Sequence, residues 1–368
     1  MGRVLRVVVL CLIAWGGVCQ AHASDDPAAD DAVRRATRVA RAVQGGDDAA
    51  VRALARDLRL DPWQVTEILL LRGEDGVAAT FASASQHAAF AGLPAYVRTQ
   101  TGNAAGAKLQ AILALMARAQ ERDAAGALEE TVALYTHAEK QLAAPDRILD
   151  LTFRLDRGRA LALLGQAEAA DRLLQPAQAR AEKLGWLRGI ADALNGRAIL
   201  AQDPPDREKL TKLYGREASL RVDAGDDASA SRAFANLAVV HGMFGDYVSA
   251  LPALERATAL FSARPDAPGS RYDLAHLLWT KGGIQVRVGE APKGAATLQQ
   301  ALRLMKSHGE DAEVAEILAT LGDAHLDLAD YDGAMGFQKQ LIALQRQRGD
   351  DHGVAMALRL HGQIERTL

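Results

Sequence analysis

The chain has 368 residues, 49% of them apolar and only 5% aromatic, with two cysteines and a formal net charge of −3. That slightly acidic balance excludes a general nucleic-acid or anionic-membrane binder, and the scarcity of cysteine excludes a disulfide-built scaffold. No stretch beyond the N-terminal segment alternates apolar and polar residues as a strand does, so the sequence reads as all-α.

Residues 1–23 have the form of a secretory signal. Arg3 and Arg6 make a basic start, Val7 to Val18 is an apolar run too short to cross a membrane comfortably, and Ala21-His22-Ala23 is a small-residue cleavage site. A lipoprotein signal ending before Cys19 is the competing reading, with Val18 a poor fit where such sites want a small residue. Cleavage after Ala23 predicts an exported protein, periplasmic or secreted, with no membrane insertion afterwards. It removes both cysteines, Cys11 and Cys19, and with them any disulfide, cysteine nucleophile or thiolate metal site. Losing Arg3 and Arg6, with no acidic residue in the segment, moves the formal charge from −3 to −5.

Residues 24–102 are expected to form an irregular helical region or cap. Ser24 to Asp30 reads as a mobile leader. Two helices are predicted over Val33 to Val43 and Ala49 to Leu58, with a turn at Gly45-Gly46. Asp61-Pro62-Trp63 is a helix start, since Asp61 can cap and Pro62 suits the first helical position. Gly73 to Gly76 ends the apolar run Ile68 to Leu71, Val77 to Phe90 is the next helix, and Gly92 and Pro94 punctuate again.

From Asn103 to the end, small residues recur at Ala114, Gly158, Gly196, Ala238, Gly282, Gly322 and Gly362, with gaps of 44, 38, 42, 44, 40 and 40 residues, the first register having a one-residue shift onto Leu115 as its alternative. A period near 40 marks a stack of repeats. Counting Ser231 as position one, Leu237 and Ala238 fall at seven and eight, His241 at eleven, Gly245 at fifteen and Tyr247 at seventeen. Ala250, Leu254 and Ala257 then fall at twenty, twenty-four and twenty-seven. Leu321, Gly322, His325, Tyr331 and Ala334 repeat the pattern. Gly158, Leu161, Gly165, Ala170, Leu174 and Ala177, and Leu278, Gly282, Gly289, Leu298 and Ala301, do so as well. Gly or Ala at eight and Ala at twenty allow two helix backbones to approach closely, where a bulky residue would overpack the crossing.

This pattern resembles the tetratricopeptide repeat. The resemblance implies a right-handed α-solenoid of antiparallel helix pairs over residues 103–368, lengthened by turns such as Arg264 to Gly269 and weakest around Gly196, where Asp203-Pro204-Pro205 replaces the usual inter-helix turn. His361-Gly362 again matches positions seven and eight, so the last unit holds a single helix, read either as a cap or as the edge of something longer. Positions two, five, nine, twelve and thirteen of the first helix face the concave side in that family. This implies a binding groove with Arg159, Arg197, His276, Trp279, Arg287, Asp323, Asp327 and Arg359. Arg159 and Arg197 share position nine in adjacent units and are expected to form a basic spot. Trp279 is the strongest anchor candidate, core packing being its alternative role. The chaperone-tail clamp of some such proteins, Lys at five and Asn at nine, is replaced by Leu155 and Arg159, or Ala235 and Val239.

Catalytic chemistry is not indicated. There is no HExxH, no Walker loop and no GxSxG, the histidines lack metal-ligand spacing, and no cofactor or metal is expected. Acidic pairs at Asp30-Asp31, Asp226-Asp227 and Asp350-Asp351 read as helix starts. The expectation is therefore a non-enzymatic scaffold that binds a protein or peptide, with no bearing on oligomeric state. A fainter resemblance, to the leader of bacterial proteins joining such repeats to a caspase-like (CHAT) protease, rests on Asp61-Pro62-Trp63, Leu70 to Glu74, Ala78-Ala79 and Leu93 to Val97. It implies the regulatory or substrate-recognition arm of a split system, itself non-catalytic.

Overall fold

The computed structural model describes residues 27–57, 63–72, 74–85, 93, 103–142, 147–262, 270–309 and 311–366. Seventeen helices and no strand are found among them, the sole β-type contact being an isolated bridge from Gln202 to Pro205. The signal segment and its cleavage site lie outside the described residues, as do the extended turn Arg264 to Gly269 and the Asp61-Pro62 helix start. No described helix is long and apolar enough to cross a membrane.

The chain divides into two compact units, Leu10–Ala233 and Phe234–Leu368. The first begins with four helices, α1 (Pro27–Gln44), α2 (Asp48–Asp57), α3 (Trp63–Leu71) and α4 (Asp75–Ser85). Three helix pairs follow: α5 (Asn103–Ala124) with α6 (Leu128–Gln141), α7 (Arg147–Leu163) with α8 (Ala167–Leu184), and α9 (Leu187–Leu200) with α10 (Arg207–Asp223). Next comes α11 (Asp227–Met243), within which the unit boundary falls. The second unit continues with α12 (Tyr247–Ser262), α13 (Ser270–Arg287), α14 (Ala291–His308), α15 (Asp311–Asp327), α16 (Tyr331–Gln347) and α17 (Asp351–Glu365). The helix beginning at Pro27 takes in most of the expected leader and places Asp30-Asp31 inside its opening turns rather than at its start.

The repeat code operates through close approach. A Cβ on Gly158 would lie 2.7 Å from Leu174, and one on Gly196 would lie 2.8 Å from the same leucine. Fully buried Leu174 of α8 is therefore wedged between α7 and α9, and neither glycine tolerates a larger residue without displacing it. Leu298 of α14 fills the equivalent place against Gly282 of α13, again at 2.7 Å. In α15 and α16 the same seat is taken by Gln338 against Gly322.

The structure corrects the first repeat register. The turns between paired helices are left-handed at Gly126, Gly165, Gly245 and Gly289, with φ of 72, 72, 75 and 85°. Seven residues before Gly165 stands Gly158, so seven before Gly126 stands Ala119, which is fully buried, whereas Ala114 is exposed. The first gap then becomes 39 residues, in step with the others. The same turn position is Ala329 in α15–α16, a non-glycine held at φ 55°. Helix starts are capped as expected at Asp226 and Asp350, whose carboxylates accept from the backbone N–H of Ser229 (3.1 Å) and Gly353 (2.8 Å).

Candidate functional site

In the Leu10–Ala233 unit, polar side chains gather where α3, α5, α6, α7 and α9 meet. Arg159 of α7 donates to Asp123 of α5, and Gln120 of α5 donates to Glu67 of α3 at 2.6 Å. Tyr135 of α6 is buried beside them against Phe153, with ring centroids 5.9 Å apart. Burial holds the Tyr135 hydroxyl well above its ordinary range, with Asp156, Asp123 and Glu67 adding to the effect. Asp156 of α7 is half-buried in the same group. Burial pushes its carboxyl up to about 7 against the pull of Arg159, and Asp192, Glu67 and Asp123 push it further. The hydrogen bonds of the cluster go to the other carboxylates, not to Asp156.

A second network braces the end of the α9–α10 pair. Arg221 of α10 is buried and reaches Asp192 at 2.6 Å, Asp226 at 3.3 Å and Glu217 at 3.5 Å. Burial raises Glu217 to about 7 against Arg221, while Asp226, although also buried, is held below the usual carboxylate range by Arg221, Arg188 and Arg232. Asn195 donates to Glu217 at 3.2 Å. Removing one charge here would strand three others in low dielectric.

Of the two arginines expected to form a basic spot, one is charge-paired and the other bonds a neutral amide. Arg159 is paired with Asp123 among further carboxylates, and Arg197 donates to Gln178 of α8 at 2.6 Å. In the Phe234–Leu368 unit, Trp279 is 6% exposed and donates to the Thr320 hydroxyl at 3.4 Å, so it packs α13 against α15. His276 is buried between Tyr272 and Trp279, and burial lowers it to about 4, leaving a neutral imidazole. Arg287 is exposed and sits 5.5 Å over the Tyr247 ring; Asp323, Asp327 and Arg359 are exposed. His325 meets Asp330 at 2.7 Å, and His241 meets Asp246 at 3.3 Å, each bracing the turn that follows its helix. No group of three or more potential metal ligands occurs among the described residues.

Sequence reasoning missed Asp123, Asp156, Asp192 and Tyr135. In the corrected register the three acids fall at positions twelve, six and four, so no repeat spacing connects them. The available signal was local: Arg154 to Arg159 packs four charges into the stretch flanking the close-approach glycine.

No family model and no curated protein sequence matches the chain. Among solved structures it is similar to a signal-transduction ATPase with a tetratricopeptide-repeat sensor from Pyrococcus horikoshii. The TM-score is 0.58 at 12% identity, over 85% of this chain and 53% of that one. The chain thus spans about half the length of that protein. A Rap protein complexed with competence and sporulation factor aligns at 12% identity and TM-score 0.49, over 92% of this chain and 98% of that one. The fold is tetratricopeptide-like. The segment carrying the fainter protease-leader resemblance is described only in part, as α3 and α4 with Leu93.

Proposed function

We propose that the chain is an exported, non-enzymatic scaffold that binds a protein or peptide, and that the polar face built from α5, α7 and α9 receives a segment bearing a lysine or arginine. The observation that carries this reading is Asp156. Asp156 is half-buried with Arg159 as its opposing charge and three carboxylates around it, and leaving it ionised without a hydrogen-bond donor of its own destabilises the free protein. An ammonium or guanidinium from a partner supplies the missing donor and relieves the repulsion from Asp123, Glu67 and Asp192. A charge-assisted hydrogen bond of this kind contributes about 1.5–3 kcal/mol, or roughly ten- to a hundredfold in affinity.

The test is selection of binders to the chain from a random peptide library, followed by titration of the selected peptides against wild type and Asp156→Asn. Selected peptides share a basic residue, lose affinity about tenfold or more when it becomes norleucine, and lose a similar factor against Asp156→Asn. Peptides without a basic preference, or equal binding by a folded Asp156→Asn, would contradict the assignment.

A further inference from the structure

The second unit makes one interface twice and offers it a third time. Three first helices carry the same residues at positions one, four and eight: Ala275, Leu278 and Gly282 in α13; Ala315, Leu318 and Gly322 in α15; Ala355, Leu358 and Gly362 in α17. This spacing places each set on one helix face. In α13 and α15 the set is buried, with Leu278 at 7% and Leu318 at 1% exposure, and its glycines lie against Leu298 of α14 and Gln338 of α16. In α17 it is open: Leu358 is 44% exposed, Ala355 is exposed, and a Cβ on Gly362 would meet nothing within 4 Å among the described residues. The opposite face of α17, through Ala357 and Ile364, is the buried one, against α16.

We infer that the Ala355–Leu358–Gly362 face of α17 docks an amphipathic α-helix of a partner protein, laid antiparallel as α14 lies on α13. The α13–α14 copy specifies that helix, the corresponding residues of α16 being Ala334, Gln338 and Leu341. Its contact face carries a small residue, a leucine four positions on, and a small residue three beyond that, as Gly294, Leu298 and Ala301 do in α14. The leucine seats on Gly362 as Leu298 seats on Gly282. The surface repeats one this unit already uses, and Gly362 in it, like Gly282 against Leu298, leaves room for a side chain of an approaching helix. This site is independent of the polar face of the other unit.

The probe is a lactam-stapled, fluorescently labelled peptide with the sequence of residues 291–308, the helix that covers the identical set in α13. The staple removes the helix-nucleation penalty of a short free peptide. Its anisotropy is followed on titration with the full chain. Saturable binding is expected, weakened at least tenfold by Gly362→Leu, by Leu358→Glu, and by a peptide carrying aspartate in place of Leu298. Circular dichroism of both variants should match wild type, because both substitutions sit on an open face. Binding no tighter than that of a scrambled stapled peptide, or binding unchanged in Gly362→Leu, would overturn the proposal. So would a concentration-dependent dimer of wild type in sedimentation that Gly362→Leu abolishes, since the face would then belong to a second copy of the chain.

Discussion

The two units share one packing code and decorate it differently. In Leu10–Ala233 the close-approach glycines Gly158 and Gly196 grip a single leucine, yet the surrounding helix faces carry Asp123, Asp156, Arg159, Asp192, Glu217 and Arg221, several of them buried. In Phe234–Leu368 the faces of α13 carry Tyr272, His276 and Trp279, and His241–Asp246 and His325–Asp330 contacts stand at the turns. Small-and-large complementarity alone therefore suffices to stack helix pairs. The buried ionic groups of the first unit are an addition to that code, which is why they are the better place to look for binding.

The sharpest way to break the comparison is to remove the centre of the ionic network. Arg221→Met leaves Asp192, Glu217 and Asp226 without their shared cation, and urea denaturation should register a loss of about 3–5 kcal/mol. No single charge removal at the turns of the second unit should approach that loss. Leu174→Ala tests the shared code itself. It empties the wedge between α7 and α9, and a loss of about 3 kcal/mol is expected, accompanied by looser packing of both neighbours. A loss under about 1 kcal/mol would mean that Gly158 and Gly196 are not gripped as described.

Smaller effects of opposite sign sharpen the picture. Gln338 occupies a leucine seat with its Oε1 buried and without a hydrogen-bond partner among the described residues. Gln338→Leu should therefore stabilise the chain by about 1 kcal/mol, read as a raised urea midpoint. Ala329→Gly relieves the left-handed backbone at φ 55° and should add roughly 1 kcal/mol in the same assay. Asp156 also makes stability depend on pH. Its carboxyl is raised in the folded chain to about 7 from the ordinary aspartate value of 3.8, so the folded state holds the proton more tightly than the unfolded state does. Its contribution is fully favourable below the lower value and declines as pH climbs through that window to the higher one. Asp156→Asn should flatten this part of the stability profile.

Much of the fold was legible because the crossing glycines and their partner leucines leave a periodic trace. The register of α5 was not, because Ala114 and Ala119 are chemically identical and only the left-handed turn at Gly126 distinguishes them. Trp279 and His276 were nominated by a position that faces a groove in the resembled family. Here the aromatic stack with Tyr272 and the bond to Thr320 draw them inward. Asp156 escaped notice because its partners come from four helices and from unrelated repeat positions, a juxtaposition made by packing rather than by spacing.

The decisive measurement is the affinity of a selected lysine-bearing peptide as a function of pH, between 5 and 9, for wild type and Asp156→Asn. Lysine stays charged across this range, so the account predicts wild-type affinity that rises through about pH 7 as Asp156 ionises. It predicts a weaker, flat profile for Asp156→Asn. Parallel profiles for the two proteins would contradict the claim that this carboxylate receives the ligand's charge.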